Sequence, residues 1–356
     1  MKISNRKYEH LKIATKYPEK DYYTGFEDVL LVHEALSNFN FSDIDTSTFF
    51  IEKNISIPLL ISSMTGGFKE AEKINRRLAE VAQKNLIPIG VGSVRVAVEE
   101  KKFLKSYSIV REVAPDVPVI SNIGIQQLIE GGTDLAEKAV ELIDADALAI
   151  HLNKLQELIM PEGEPNQSGA VDVLKEVVRK LKVKVIIKET GCGISKEVAL
   201  LASHLKINYI DVGGSGGTSF AVIEGLRAKK IRDIEKLELS KKFSFWGIPT
   251  AISILEAKSV ENVEVIASGG IRSGLDVAKS IVLGSCCAGV ARPFLEAAIK
   301  GPKFLEKTIS KFNKELMATM FLVGASNIKE LKAKPYILTG IVRDWVFQRE
   351  LTQSYK

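Results

Sequence analysis

Eight short apolar runs alternate with amphipathic stretches along most of the chain, and a cluster of small or polar residues follows each run. Together these two observations predict an α/β protein built as a (β/α)8 TIM barrel. Alternation implies right-handed βαβ units and a parallel sheet, and the count of eight favours closure over an open doubly wound sheet. The expected plan is a single domain: an N-terminal extension over 1–56, a barrel over 57–323 with an insertion after strand six over 215–262, and a C-terminal extension over 324–356. For 356 residues length alone would allow two domains, but a barrel of about 250 residues with extensions accounts for the same chain.

Residues 1–56 carry Tyr, Asp and Asn without a clear period and read as an extension with short helices. The run at 57–63 is the first buried strand, and apolar residues at helical spacing follow it over 69–85. Later strands are expected at 87–93, 117–123, 147–153, 184–189, 209–213, 263–267 and 286–291, with amphipathic helices including 135–142, 171–182 and 274–283. The segment 214–262 is too long for one crossover, so the sixth unit carries an insertion around 224–246, of a length usual for a lid or a disordered loop. The tail, with Pro335, Thr339, Gly340 and Trp345, is expected to be helical and packed on the barrel or a neighbouring subunit.

Composition excludes several classes. The chain is 46% hydrophobic and 26% charged, as globular proteins are, and no apolar run approaches the ~18 residues of a membrane span. The basic N-terminus has no apolar segment behind it and so does not resemble a secretory signal, which points to a cytoplasmic location. Cys192, Cys286 and Cys287 are too few for a disulfide framework and are expected to be reduced and structural. A net charge of +5, with acids interspersed among the bases, speaks against nucleic-acid binding and leaves room for a local anion site.

In a barrel, residues just after the strands share one rim, and here that rim is small and polar. Two glycine-rich turns, from Gly213 to Thr218 and from Ser268 to Arg272, with a third small turn at Ala291-Arg292, suit a phosphate held by backbone N–H groups. Lys188 stands inside an apolar strand, where an unpaired ammonium would be costly, so it must face the rim and meet a negative partner. A structural ion pair, a Schiff-base lysine and a lysine beside a flavin mononucleotide all satisfy that requirement; in the last reading Asn122 and Thr65 would bond the flavin ring. The run 147–150 ends in His151, Asn153, Gln156 and Glu157. A lone His is more often a core residue than a catalyst, and one carboxylate is weak support for a metal, although Glu157 could bind Mg2+ shared with phosphate oxygens. Arg6, Lys7 and His10, with Ser93 and Arg95, form a second cationic group, although an isolated N-terminal pair is ordinarily only solvated charge.

These motifs converge. Arg6-Lys7-x-x-His10, Met64-Thr-Gly-Gly67, Gly92-Ser-x-Arg95, Ser121-Asn-Ile-Gly124, His151-Leu-Asn-x-x-Gln-Glu157, Lys188-Glu-x-Gly191, Gly214-x-Gly-Gly-Thr218, Ser268-Gly-Gly-Ile-Arg272 and Ala291-Arg-Pro293 span nearly the whole chain. In them the sequence resembles the type 2 isopentenyl-diphosphate isomerases, flavin-dependent enzymes that interconvert isopentenyl and dimethylallyl diphosphate. The glycine loops are common to many flavin barrels; the Arg-Lys pair combined with His-Leu-Asn-x-x-Gln-Glu is specific to this family. The resemblance implies that Met64, Thr65, Gly66, Ser93, Asn122, Lys188, Gly213, Thr218, Gly270, Ile271, Arg272, Ala291 and Arg292 form the FMN site. It implies that Arg6, Lys7, His10, Ser93, Val94, Arg95, His151, Asn153 and Gln156 face the substrate, with Gln156 and His151 nearest the chemistry and Glu157 holding Mg2+. Two departures stand out: Lys154 replaces a frequent proline, and Gly213 replaces a serine that often reaches the flavin phosphate.

Moving a double bond by one position adds one proton and removes another without net redox change. The resemblance therefore implies a flavin that works in its reduced form as acid and base, with NAD(P)H as reductant, and a homo-oligomer, tetramer or octamer. Two rivals remain. A 2-hydroxy-acid oxidase on the same barrel would need a His–Arg pair near the seventh strand, and no His follows His204. A non-catalytic flavin- or phosphate-binding barrel is the other.

Overall fold

The computed structural model describes residues 3–16 and 22–351. Helix α1 (Ile3–Lys16) opens the chain, followed by the short strands β1 (Val29–Leu31), β2 (Thr48–Phe50) and β3 (Lys53–Ile55). The barrel then runs through β4 (Leu59–Ile61), α2 (Ala71–Lys84), β5 (Ile89–Gly90), α3 (Arg95–Glu99), α4 (Lys105–Val113), β6 (Val119–Gly124), α5 (Ile125–Glu141) and β7 (Ala147–Leu152). Its second half comprises α6 (Lys154–Ile159), α7 (Ala170–Lys180), β8 (Lys184–Glu189), α8 (Lys196–His204), β9 (Tyr209–Asp211), α9 (Phe220–Ile231), α10 (Ile234–Lys242), α11 (Thr250–Lys258), β10 (Glu264–Ser268), α12 (Gly274–Val282), β11 (Ser285–Val290) and α13 (Arg292–Lys300). Helices α14 (Pro302–Leu322), α15 (Ile328–Lys332) and α16 (Gly340–Gln348), with β12 (Tyr336–Leu338), complete the chain.

Strands β4 to β11 are parallel and close on themselves, with Ala288 to Val290 of β11 in register with Leu59 to Ile61 of β4. Strands β4, β6 and β11 are buried at every position, as a parallel sheet covered on both faces requires; β4 is wholly apolar, whereas β6 also buries Ser121 and Asn122 and β11 Ser285. Parallel closure puts every strand's C-terminal end at one mouth. The opposite end is stoppered by the β2–β3 hairpin. Phe50, Ile51 and Ile55 pack there against Leu60, Ile120, Ile186, Ile266 and the free thiols Cys286 and Cys287, and Phe50 meets Tyr209 edge to face at 5.9 Å.

Several sequence expectations need correction. The N-terminal extension contains a fourteen-residue helix and three strands as well as short helical turns. Strand β1 pairs antiparallel with β12, so the two extensions form one ribbon, a partnership between distant segments that local pattern cannot reveal. The C-terminal tail is accordingly part strand; its α16 docks on α11 through Trp345 Nε1 and Arg349 Nε, which donate to buried Glu256 at 2.7 and 2.9 Å. The insertion is neither disordered nor a bare loop: α9 and α10 precede the crossover helix α11. Within α5 the backbone is non-helical at Gly132, at φ 60°, so the segment is two helical pieces; the second carries the amphipathic stretch expected at 135–142, and the first, from Ile125, is an addition to it.

Phe50 is 1% exposed at the centre of the stopper. Phe50→Ala should cost about 3–5 kcal/mol in urea unfolding. A loss below about 1 kcal/mol would show that the hairpin contributes little to barrel stability.

Candidate active site

The C-terminal mouth holds a cavity of about 300 Å³, walled by loops after the barrel strands and roofed by α1. Every residue assigned to the site from sequence lines it except Val94. Val94 is fully buried and its N–H donates to the Asn122 carbonyl at 2.8 Å, so it serves the loop rather than a ligand.

One side of the cavity is backbone. Gly213, Gly216 and Gly270 adopt positive φ, and a Cβ on Gly217 would stand 2.5 Å from the Gly270 amide nitrogen, so the two glycine loops touch main chain to main chain. A Cβ on Gly213 would meet the Glu189 carbonyl at 2.0 Å; this position lines the cavity with backbone alone. Arg272 laces the loops together, Nη2 donating to Gly216 O at 2.7 Å, while its buried Nε has no partner among the described residues. Thr65 Oγ1 and Ser62 Oγ are also buried without partners and also line the cavity. Native structures rarely leave such groups unpaired unless a ligand or water takes them.

Lys188 Nζ donates to Asp211 Oδ2 at 2.7 Å and to Ser268 Oγ at 3.3 Å, so the negative partner that its strand position demanded is Asp211, itself buried. The next residue, Glu189, turns the other way. Its Oε2 accepts from the N–H groups of Thr190, Gly191 and Cys192 at 2.6, 2.8 and 2.6 Å, pinning the loop after β8. Burial nevertheless pushes that carboxyl up to about 7, against those donors and Lys188.

The other side carries side-chain chemistry. His151 Nδ1 lies 2.9 Å from Asn122 Oδ1, and since an amide oxygen only accepts, Nδ1 carries the proton. Desolvation, then the charges of Lys7, Lys188 and Arg6, pushes His151 down to about 3. A neutral imidazole that resists protonation can position a ligand but is a poor acid. Gln156 Nε2 donates to Glu224 Oε1 at 2.9 Å. Glu224, fully buried on α9, also lies 2.9 Å from His10 Nε2 and 2.5 Å from Arg227 Nη1. Burial pushes its carboxyl up, but His10, Arg227 and Gln156 outweigh that and hold it at about 2. Sequence reasoning missed Glu224 and Arg227 by treating 224–246 as peripheral; the available signal was an acid and a base three apart within an apolar helix.

Glu157 is 9% exposed, with Oε1 accepting from Asn153 Nδ2 at 2.8 Å. Among the described residues no cluster of three or more His, Cys, Asp or Glu could cage a metal. Of the cations, Lys7 Nζ donates to the Ser93 carbonyl and, at 2.7 Å, to Tyr107 Oη; Arg95 Nε donates to Glu99 at 2.7 Å. Enclosure, then the charge of Arg6, pushes Lys7 down to about 7.

Comparison with known proteins extends the same pattern. The family model for FMN-dependent dehydrogenases matches residues 152–338. The chain is 45% identical over 346 residues to the isopentenyl-diphosphate delta-isomerase of Archaeoglobus fulgidus, covering 97% of this chain and 99% of the relative. This chain belongs to the isopentenyl-diphosphate delta-isomerase family. Isomerases of Methanothrix thermoacetophila, 44% identical over 98% of this chain and 97% of theirs, and of Methanosarcina mazei, 43% identical over 97% and 95%, are similar over the same span. Among solved structures, mandelate oxidases share the barrel alone: one with benzoyl-formic acid superposes with a TM-score of 0.59 at 17% identity, covering 94% of this chain and 91% of its own.

The donor set fits the FMN that the dehydrogenase family name implies. Glycine loops would take the phosphate, while Thr65, Asn122 and Lys188 would meet the ring; the unpaired Thr65 hydroxyl and Arg272 Nε are atoms such a cofactor would satisfy. Lys188→Met should weaken FMN binding at least about tenfold, because it also strands Asp211 as a buried, unpaired charge. Flavin fluorescence titration reads this directly, and unchanged affinity would take Lys188 out of the cradle.

Proposed function

We propose that this protein interconverts isopentenyl diphosphate and dimethylallyl diphosphate; the glycine loops would hold reduced FMN, and Glu157 would hold the Mg2+ that neutralises the diphosphate. The observation that carries the reading is one cavity that combines glycine loops with a group of cations beside a carboxylate. The cations are Arg6, Lys7 and Arg95, and the carboxylate is Glu157. A single carboxylate suffices for Mg2+ when phosphate oxygens and water complete its shell.

Reduced FMN supplies the acid–base capacity that the double-bond shift requires, and NAD(P)H is the reductant in this reading. The chain's own residues bind and orient. Arg6 and Lys7 hold the diphosphate, so that binding energy at the charged end places the hydrocarbon near Gln156. Gln156, fixed by Glu224, presents its amide to the allylic carbons, and His151 and Asn153 line the cavity nearby. A homo-oligomer, tetramer or octamer, and a cytoplasmic location complete the proposal; no helix among the described residues is long and apolar enough to cross a membrane. The rival 2-hydroxy-acid oxidation lacks its base: the loop after β10 is Ser268-Gly-Gly-Ile-Arg272, without histidine.

The deciding experiment is an anaerobic isomerase assay with and without reductant. Turnover should require reductant, and full activity with oxidised flavin would overturn the reading. Gln156→Ala should retain FMN and lose at least about 100-fold in kcat; wild-type turnover would remove Gln156 from the reaction. Glu157→Gln should shift the Mg2+ titration to higher concentration, whereas an unaltered titration would count against that ligand. Because Lys7 loses its charge as pH rises through about 7, KM for the diphosphate should climb above that pH. Lys7→Met should flatten that limb, and the same rise in the variant would assign it elsewhere.

A further inference from the structure

Helix α1 brings Arg6, Lys7 and His10 to the cavity, yet no described side chain of α1 is itself buried. Leu11 packs on the core and the Tyr8 ring lies 5.7 Å from that of Phe68, and polar links supplement this limited packing. On the α9 side those links converge on one group. The Arg227 guanidinium, 5% exposed, reaches Glu9 of α1 (Nε to Oε2, 3.3 Å), Glu162 of the loop after α6 (Nη2 to Oε1, 2.6 Å) and Glu224 of its own helix (Nη1 to Oε2, 2.5 Å). One turn on, Lys230 Nζ adds a second link to Glu9 at 3.2 Å.

We propose that Arg227 is a positioning residue that clamps α1 over the mouth through Glu9 and thereby sets the diphosphate end of the cavity. Arg227, Glu9 and Glu162 are all absent from the cavity wall, so the clamp acts through the residues that α1 and α9 present rather than by touching a ligand. Its design answers a specific problem. Arg6 and Lys7 are neighbouring cations and repel each other until an anion lies between them, so α1 needs an anchor that the ligand does not supply. Arg6 has only a long contact with Glu162, 3.8 Å, and a bond to Met160 Sδ at 3.3 Å, so it can turn to a diphosphate while Arg227 keeps Glu162. Planar, always charged and carrying five donors, Arg suits a three-way junction that a Lys could not serve.

The kinetic part of this proposal rests on the isomerase reading; the structural part does not. The test uses full-length, FMN-loaded protein and Glu9→Gln, which removes charge from the α1 end and leaves Glu224 and Gln156 in place. Tryptic cleavage within α1 at Arg6, Lys7 or Lys12, followed by mass spectrometry without substrate, should be at least fivefold faster than in the wild type. KM for isopentenyl diphosphate should rise at least fivefold, with kcat at saturation within twofold and FMN affinity unchanged. Glu9→Asp should recover part of both effects. Wild-type cleavage rates in Glu9→Gln would overturn the clamp whether or not the protein isomerises anything. A loss of kcat with KM unchanged would overturn it too, since that pattern belongs to damaged chemistry rather than a displaced helix. Arg227→Met, provided its melting temperature shows it folded, should reproduce the cleavage effect, and protection equal to the wild type would again overturn the proposal.

Discussion

Everything at the site depends on the closing of the sheet, where β11 lies in register against β4. Parallel strands that close into a ring deliver all their C-terminal ends to one rim. Residues as distant in sequence as Thr65, Asn122, Lys188 and Arg272 thereby share a cavity without any contact having to be specified between them individually. Short loops then do the fine placement. Where two of these loops must pass main chain against main chain, as at Gly217 and Gly270, only glycine leaves room.

The cavity divides its labour by the kind of group each side offers. On one side glycine loops laced by Arg272 bring main chain to the cavity wall, whereas α1 brings the side-chain cations Arg6 and Lys7. Between them burial and neighbouring charge bias ionisation strongly: His151 is kept neutral, while Glu224 is kept ionised by three neighbours. Burial disfavours the charged form of both groups; what separates them is their company. His151 faces only cations and an amide; Glu224 faces an arginine, an amide donor and an imidazole.

The barrel was legible because most of its strands are built around a short buried apolar run, and the rim was legible because polar clusters end those runs. Lys188 is the clearest case: its place within such a run required an acidic partner, although only the fold identifies that partner as Asp211. What escaped were long-range partnerships. The β1–β12 ribbon joins residues about three hundred positions apart, and neither three-residue strand has a pattern of its own. Glu224 and Arg227 were hidden for a related reason: the insertion in the sixth unit read as a lid or disordered loop, and the contacts of its helix α9 with α1 appear only in the fold. Val94 was misplaced because its neighbours Ser93 and Arg95 do face the cavity, and adjacency in sequence does not carry over a tight turn.

The stopper formed by Phe50, Ile51 and Ile55 also bears on traffic. With the far end sealed by apolar side chains, the barrel is a blind well rather than a tunnel. Whatever arrives and whatever departs must use the C-terminal mouth, so occupants exchange in turn at one end and cannot be pushed through from behind.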